Sequence, residues 1–345
     1  MKTLSIIGNF AKGKHVCNGQ SIKTRIIANE LLKVHGTKNV KMVDTSNSLI
    51  FLLKSIFSIT KCLAISKNLI IMPAQNGILI ILPLVTIINT IFKRKIHYVV
   101  IGGWLCDFVY KHNFLLHFLK KLNVIYTETS TLKNGLQELG LKNIKVMPNC
   151  KPLTILKQDE LTLSTRLPIR FCTFSRVTKT KGIEDAIHAI IKCNQHFPKI
   201  VATLDIYGKI EEQTWFDSLR IEFPAYIKYK GIAMYNKSVQ TLKEYNALLF
   251  PTYYQGEGIA GTIIDALSAG LPIIASDWHD NNLVIQNKET GFLFKTHDID
   301  NLTNILINVC KNPTTLTDMK INCINKAQLY QPENVICILN TELDL

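Results

Sequence analysis

The feature that most constrains this chain is an alternation of short β-branched runs with longer helical patterns, which stops once and then starts again. In the first stretch the strand-like runs are 3–7, 40–43, 69–72, 97–101, 124–126 and 145–147. Helical patterns lie between them at 21–34, 48–65, 77–92, 107–122 and 130–139. A polar stretch, 150–166, follows as a linker. The alternation then resumes, with strands expected at 169–174, 201–207, 227–230, 247–250 and 273–275, and helices at 183–196, 212–221, 258–269 and 299–311. Strand–helix alternation implies parallel, doubly wound sheets. The expected fold is therefore α/β, with two Rossmann-like domains, 1–155 and 156–330, and a C-terminal helix, 331–345, that packs back on the first. Open sheets of this kind bind ligands at the carboxyl ends of their strands, so the expected site is a cleft faced by both domains.

A length of 345 residues gives each domain room for its own core. Hydrophobic residues at 47% and charged residues at 19% exclude a disordered or fibrous chain. The nine cysteines are odd in number and none has C-x-x-C spacing, which argues against a disulfide scaffold or zinc knuckle and for a reducing, cytoplasmic setting. The apolar run at the N-terminus is too short for a signal peptide and leads directly into a glycine turn. Residues 69–92 are apolar and long enough to span a bilayer. Pro73, Gln75, Asn76 and Gly77 divide them, so a buried strand, a turn and a core helix containing Pro83 are expected instead.

The net charge of +14 is unevenly distributed. Residues 1–155 hold 21 Lys/Arg against 5 Asp/Glu, whereas residues 156–345 hold 19 against 21. A half this basic points to an anionic partner. Nucleic acid is not expected, because no recognised motif is present and aromatics are not interleaved with the basic residues. Lys111 to Lys121 reads as an amphipathic helix, apolar through Phe114, Leu115, Phe118 and Leu119, that could lie in a membrane interface.

Several chemistries are excluded. The nine histidines show neither H-x-x-x-H nor H-E-x-x-H spacing, so no metal site is expected. G-x-x-x-x-G-K-[ST] is absent, which excludes a P-loop enzyme, and the lack of a G-x-S-x-G elbow removes that route to a nucleophilic serine. Asp277 and Asp280, flanking Trp278 and His279, are expected to form a surface loop.

The most specific stretch is 250–277, FPTYYQGEGIAGTIIDALSAGLPIIASD. A strand ends at Phe250, and a glycine-bearing loop holds Glu257. A helix is expected to open with Gly258, Ile259, Ala260, Gly261 and Thr262. First-turn N–H groups lack intrahelical partners and sit at the positive end of the helix dipole, which suits a diphosphate. Asp265, eight residues beyond Glu257, is placed two turns on, within reach of a ribose diol, while Glu257 stays near a sugar.

This stretch resembles the E-x7-E signature of retaining GT-B glycosyltransferases, especially glycosyltransferase family four, and Gly270-Leu271-Pro272 matches that family too. Asp265 stands where the family has Glu, one methylene longer. Phe174 to Gly182, FSRVTKTKG, resembles the family's strand–Arg–loop–Lys-Gly–helix element. The resemblance implies that Arg176 and Lys181 clamp the donor diphosphate, with Lys179 the weaker candidate. Two fixed cations would stabilise the departing nucleoside diphosphate more in the transition state than in the ground state. Leu204 to Gly208 resembles the strand that ends beneath the nucleotide, which places Tyr207 and Gly208 at the donor, and Tyr229-Lys230-Gly231 resembles the turn that reads the base. These matches run from about 171 to 295 in the family's order.

The first half resembles the family less, and there the likeness is to bacterial capsule and exopolysaccharide members. Gly8 and Asn9 follow the first strand and are implied on the donor side. Asn18, Gln20 and Lys23 in the loop and helix start, and Gly102, Gly103 and Trp104 after a strand, are implied on the acceptor side.

The resemblance thus implies a metal-independent, retaining transfer, with no cofactor, from a nucleotide-diphosphate sugar as substrate. The acceptor would be a glycan or a lipid-diphosphate-linked glycan in bacterial surface polysaccharide synthesis. The protein would sit in the cytoplasm, peripheral on an anionic inner membrane face. The rival reading is a non-catalytic subunit of the same fold that assists another transferase, favoured only by the shortened Asp265.

Overall fold

The computed structural model describes residues 2–11, 19–46 and 48–343. The chain divides into two units: Met1–Pro152 together with Tyr330–Leu345, and Leu153–Leu329.

The first unit has strands β1 (Lys2–Gly8), β2 (Val40–Asp44), β3 (Ser66–Met72), β4 (Lys95–Val99), β5 (Val124–Thr127) and β6 (Ile144–Val146). They form one parallel sheet in the order β2-β1-β3-β4-β5-β6. The helices are α1 (Gly19–His35), α2 (Ser48–Ile65), α3 (Gln75–Phe92), α4 (Leu105–Lys111), α5 (Leu115–Leu119) and α6 (Ser130–Glu138). Two buried clusters flank the sheet. One gathers Ile71, Leu82, Val85, Leu105, Leu119 and Leu136 from β3 and α3 to α6. The other gathers Leu4, Ile27, Leu31 and Tyr126 with Val335, Ile336 and Leu339 of the C-terminal helix.

The second unit repeats the plan with β7 (Ile169–Phe174), β8 (Ala202–Tyr207), β9 (Ile227–Gly231), β10 (Ala247–Phe250), β11 (Ile273–Ser276) and β12 (Gly291–Phe294). Its order is β12-β11-β10-β7-β8-β9, again parallel, so successive strands leave β7 in one direction and resume at β10 in the other. The helices are α7 (Ile183–Gln195), α8 (Gln213–Arg220), α9 (Ser238–Leu242), α10 (Gly261–Ser268), α11 (Asn281–Val284), α12 (Ile299–Lys311) and α13 (Thr314–Ala327), and α14 (Pro332–Asn340) returns to the first unit.

Three local expectations are corrected. The helix expected over 107–122 is two short ones, because the chain leaves helical geometry at His112 (φ −131°, ψ 58°). The break puts Leu115 and Leu119 in the core, so 111–121 is not a continuous amphipathic helix. The loop at 277–280 is not wholly at the surface, since Asp280 is buried and Trp278 donates Nε1–H to the Tyr254 carbonyl at 2.9 Å. Helix α10 opens at Gly261, three residues later than expected. Ala260 is extended just before it (φ −64°, ψ 130°), so Gly258, Ile259 and Ala260 belong to the loop.

Among the described residues one helix, α3, has the length and composition to cross a membrane. Its two ends, however, feed β3 and β4, which pair in parallel within one sheet, Asn68 opposite Lys95. It is the crossover between them, with Ile78, Ile81, Leu82, Val85 and Thr86 turned to the core and Pro83 inside. Its outer side stays apolar: Ile80, Ile87 and Ile91 are exposed, as are Ile56 and Phe57 of α2.

Candidate functional site

In a doubly wound sheet the crossovers on either side of a reversal point diverge and leave a crevice at the carboxyl ends of the two strands there. In the second unit those strands are β7 and β10. Arg176 and Lys181 follow β7, and Glu257 follows β10.

Glycine chemistry brings the two loops together. Gly182 is left-handed (φ +66°), and a Cβ there would lie 2.0 Å from the Pro251 carbonyl oxygen, so only glycine allows the approach. Its neighbour Lys181 is thereby delivered to the β10 loop. The Tyr253 N–H donates to the Thr180 carbonyl at 2.8 Å, which fastens the loops backbone to backbone.

Lys181 and Glu257 form a buried ion pair, and the Thr252 hydroxyl donates to the same Glu257 oxygen at 3.0 Å. Arg176 is more open and pairs with Glu211 at 2.9 Å. Both cations lie over Tyr254, the Lys181 Nζ 5.0 Å and the Arg176 guanidinium carbon 5.1 Å from the ring centroid. One aromatic ring therefore holds two positive groups at the crevice, an arrangement suited to a diphosphate. Lys179 is exposed.

The carboxylate of Asp265 is buried and accepts from the Ser238 hydroxyl at 2.8 Å. The hydroxyl of Thr262 is committed to the Phe174 carbonyl, where it ties α10 to the end of β7. Gly208 (φ +144°) is another position a side chain could not occupy: a Cβ would fall 1.6 Å from the Ser175 carbonyl oxygen. Its N–H bonds the Gly231 carbonyl at 2.9 Å, so the ends of β7, β8 and β9 are drawn together. The Tyr207 hydroxyl is paired with that of Tyr245 at 2.9 Å. Gly256, Gly258 and Gly261 stand in G-x-G-x-x-G spacing, yet β10 ends at Phe250 and the helix begins only at the third glycine, so they do not form the tight strand-to-helix turn of a dinucleotide fingerprint.

In the first unit the residues assigned from sequence fare differently. Asn18 lies outside the described residues. Lys23 is buried and paired with Glu128 at 2.6 Å, a closed structural contact and not a group offered to an acceptor. Gly8 approaches α1 closely, since a Cβ would meet Thr24 Cγ2 at 2.8 Å, and Asn9 accepts from the Ala11 N–H at 3.1 Å. Gln20 donates to the Met72 carbonyl at 3.3 Å. Gly102 is left-handed (φ +85°), Gly103 follows it, and the Trp104 indole N–H closes the turn on the Ile101 carbonyl at 2.7 Å.

Among the described residues no group of three or more His, Cys, Asp or Glu could hold a metal. Asp298-Ile299-Asp300 has D-x-D spacing, but Asp298 caps α12 through the Asn301 N–H and Asp300 pairs with Lys192. A cavity of about 460 Å³ lies beside them, walled by Lys192, Lys295, His297 and Asp298 among others. None of the crevice residues lines it, and chemistry, not volume, places the candidate site at β7 and β10.

Residues 163–328 match the model of the family described as glycosyl transferases group 1. The GtfA subunit of a UDP-N-acetylglucosamine–peptide N-acetylglucosaminyltransferase from Streptococcus pneumoniae serotype 4 is 28% identical over 178 residues, 50% of this chain and 34% of that protein. An Escherichia coli UDP-Gal:alpha-D-GlcNAc-diphosphoundecaprenol alpha-1,3-galactosyltransferase is 36% identical over 85 residues, 25% of this chain and 21% of that one. The chain thus spans about a third or less of the length of these relatives. The crystal structure of Anabaena Alr3699/HepE in complex with UDP superposes with a TM-score of 0.77 at 16% identity, covering 99% of both chains. The chain therefore has the two-unit α/β architecture of the GT-B fold, and its residues 163–328 are similar to the glycosyl transferases group 1 family.

Proposed function

We propose that this protein is a glycosyltransferase that moves a sugar from a uridine-diphosphate sugar to a glycan or lipid-diphosphate-linked acceptor in bacterial surface polysaccharide synthesis. The observation that carries the reading is the pair of cations, Arg176 and Lys181, set over Tyr254 and beside Glu257 at the reversal point of the second sheet. The relatives whose names specify UDP donors support the choice of uridine.

Transfer proceeds with retention and without metal. The bond between the anomeric carbon and the diphosphate oxygen breaks, and its electron pair leaves with UDP. Arg176 and Lys181 stabilise the charge that accumulates there. The acceptor oxygen attacks the face the phosphate has left, and its proton passes to a phosphate oxygen. Glu257 holds the sugar ring, and Asp265 the ribose. The basic first unit meets the anionic membrane surface that carries the acceptor, so the protein works as a peripheral membrane protein on the cytoplasmic face.

The test is incubation with UDP-glucose, UDP-galactose and UDP-N-acetylglucosamine and a diphosphate-lipid acceptor, followed by UDP release and proton NMR of the new anomeric centre, with and without EDTA. An α-linked product from one of these α-donors, undiminished by EDTA and lost in Glu257→Gln, is expected. A β-linked product refutes retention, and turnover of no UDP-sugar refutes the donor.

A further inference from the structure

Asp265 is the one ionisable residue of α10, which reads GTIIDALS. The carboxylate is 3% exposed. A carboxylate taken out of water must receive hydrogen bonds, and a donor in such surroundings binds it strongly. The Ser238 hydroxyl, 2% exposed, donates to Asp265 Oδ1 at 2.8 Å. Ser238 opens α9, which follows β9 and Gly231, and α9 packs against α10. One bond between two buried side chains therefore links the segment after β9 to the carboxylate of α10, across 27 residues of chain.

A carboxylate turns about its Cα–Cβ and Cβ–Cγ bonds. With one oxygen held by Ser238, the range of these rotations is narrowed before any ligand arrives. Asp has a shorter reach than the Glu expected at this position, so its placement tolerates less error. We infer that Ser238 is a positioning residue of the donor site, fixing the Asp265 carboxylate in the orientation that accepts the ribose diol of a uridine diphosphate. This rests on the proposed role of Asp265 at the ribose.

The experiment is calorimetric titration of the full chain with UDP, 2′-deoxy-UDP and 3′-deoxy-UDP. The wild type should prefer UDP over at least one deoxy analogue, and Asp265→Ala should lose that preference. In Ser238→Ala the preference should shrink on the order of tenfold, the scale of a hydrogen bond to a charged group. Ser238→Thr, which keeps the hydroxyl, should restore it. Should alanine unfold the unit, Ser238→Cys, similar in size and a poor donor, gives the same comparison. A general loss of packing weakens all three ligands alike and leaves their ratio unchanged. A wild-type ratio in Ser238→Ala, with the ratio lost in Asp265→Ala, overturns the role of Ser238 and leaves the ribose reading standing. A wild-type ratio in Asp265→Ala overturns both.

Discussion

Arg176 and Lys181 share one proposed role but stand in different surroundings, and they should fail in different ways. Lys181 and Glu257 are buried together, and removing one partner of such a pair strands the other charge, at a cost of about 3–5 kcal/mol. The Arg176–Glu211 pair is largely open, its side chains 46% and 34% exposed, and exposed pairs contribute only about 0.2–1 kcal/mol. Arg176→Ala is therefore expected to melt close to the wild type while turnover falls on the order of 100- to 1000-fold. Lys181→Ala should lose both turnover and several degrees of melting temperature. Parallel thermal melts and turnover assays separate the two, and an Arg176→Ala enzyme with normal turnover would not be using that cation. Arg176, Lys181, Glu257 and Asp265 were legible in the sequence because each pair lies on one strand–loop–helix unit, where local geometry fixes the spacing. Glu211 and Ser238 were not, since they reach Arg176 and Asp265 from 35 and 27 residues away, and only the sheet order brings them in. Tyr254 stood in plain view next to the signature, but its function as a shelf for two cations needs both loops in place.

Elements were legible where their apolar pattern was clear. The runs at 169–174, 247–250, 48–65 and 299–311 match β7, β10, α2 and α12 to the residue. Strand β12 was missed because its short run, GFLF, opens on a glycine, a weak strand former. Helix α13 was missed although Leu316, Met319, Cys323, Ile324 and Ala327 repeat at helical spacing, because Thr and Asn lower its propensity and a lysine blurs the stripe. The lysine that blurs it, Lys320, is 1% exposed, and its Nζ donates to the Tyr245 carbonyl at 3.5 Å, a long bond. Burial lowers its pKa from 10.5 to about 8. Between those two values the unfolded chain binds more protons than the folded one, so stability should rise with pH from about 8 to about 10.5. Below that window the buried charge is a standing cost. Lys320→Met should stabilise the second unit at pH 7 by on the order of 3 kcal/mol, at 1.36 kcal/mol per pKa unit, and should flatten the alkaline rise. Urea melts at pH 7 and pH 10 check both, and a destabilised Lys320→Met protein would mean the lysine supports the fold.

At the scale of the whole molecule, the doubling of the α/β plan was evident from the restart of the alternation, and the charge asymmetry from a count. The sequence did not show where an apolar face would meet solvent. The charged helix expected over 111–121 is broken and partly buried, whereas uncharged α3 presents Ile80, Ile87 and Ile91 outward, with Lys93 and Arg94 at its end. The proposed membrane contact accordingly moves to α2 and α3. The protein should co-sediment with vesicles rich in anionic lipid and be released by salt, as each basic residue near such a surface contributes about 1 kcal/mol. Ile87→Glu combined with Ile91→Glu should weaken binding at low salt without altering UDP affinity. Indifference to lipid charge and salt would remove the membrane from the account. A separate consequence follows from α14, whose Val335, Ile336 and Leu339 complete the cluster on the α1 side of the first sheet. Residues Leu153–Leu329 are synthesised between β6 and that helix. At about 5–20 residues per second, the ribosome needs roughly ten to thirty-five seconds to cross the interval. Throughout it the nascent first unit carries Ile27 and Leu31 of α1 without the helix that packs on that side. The unit that emerges first is the one that matures last.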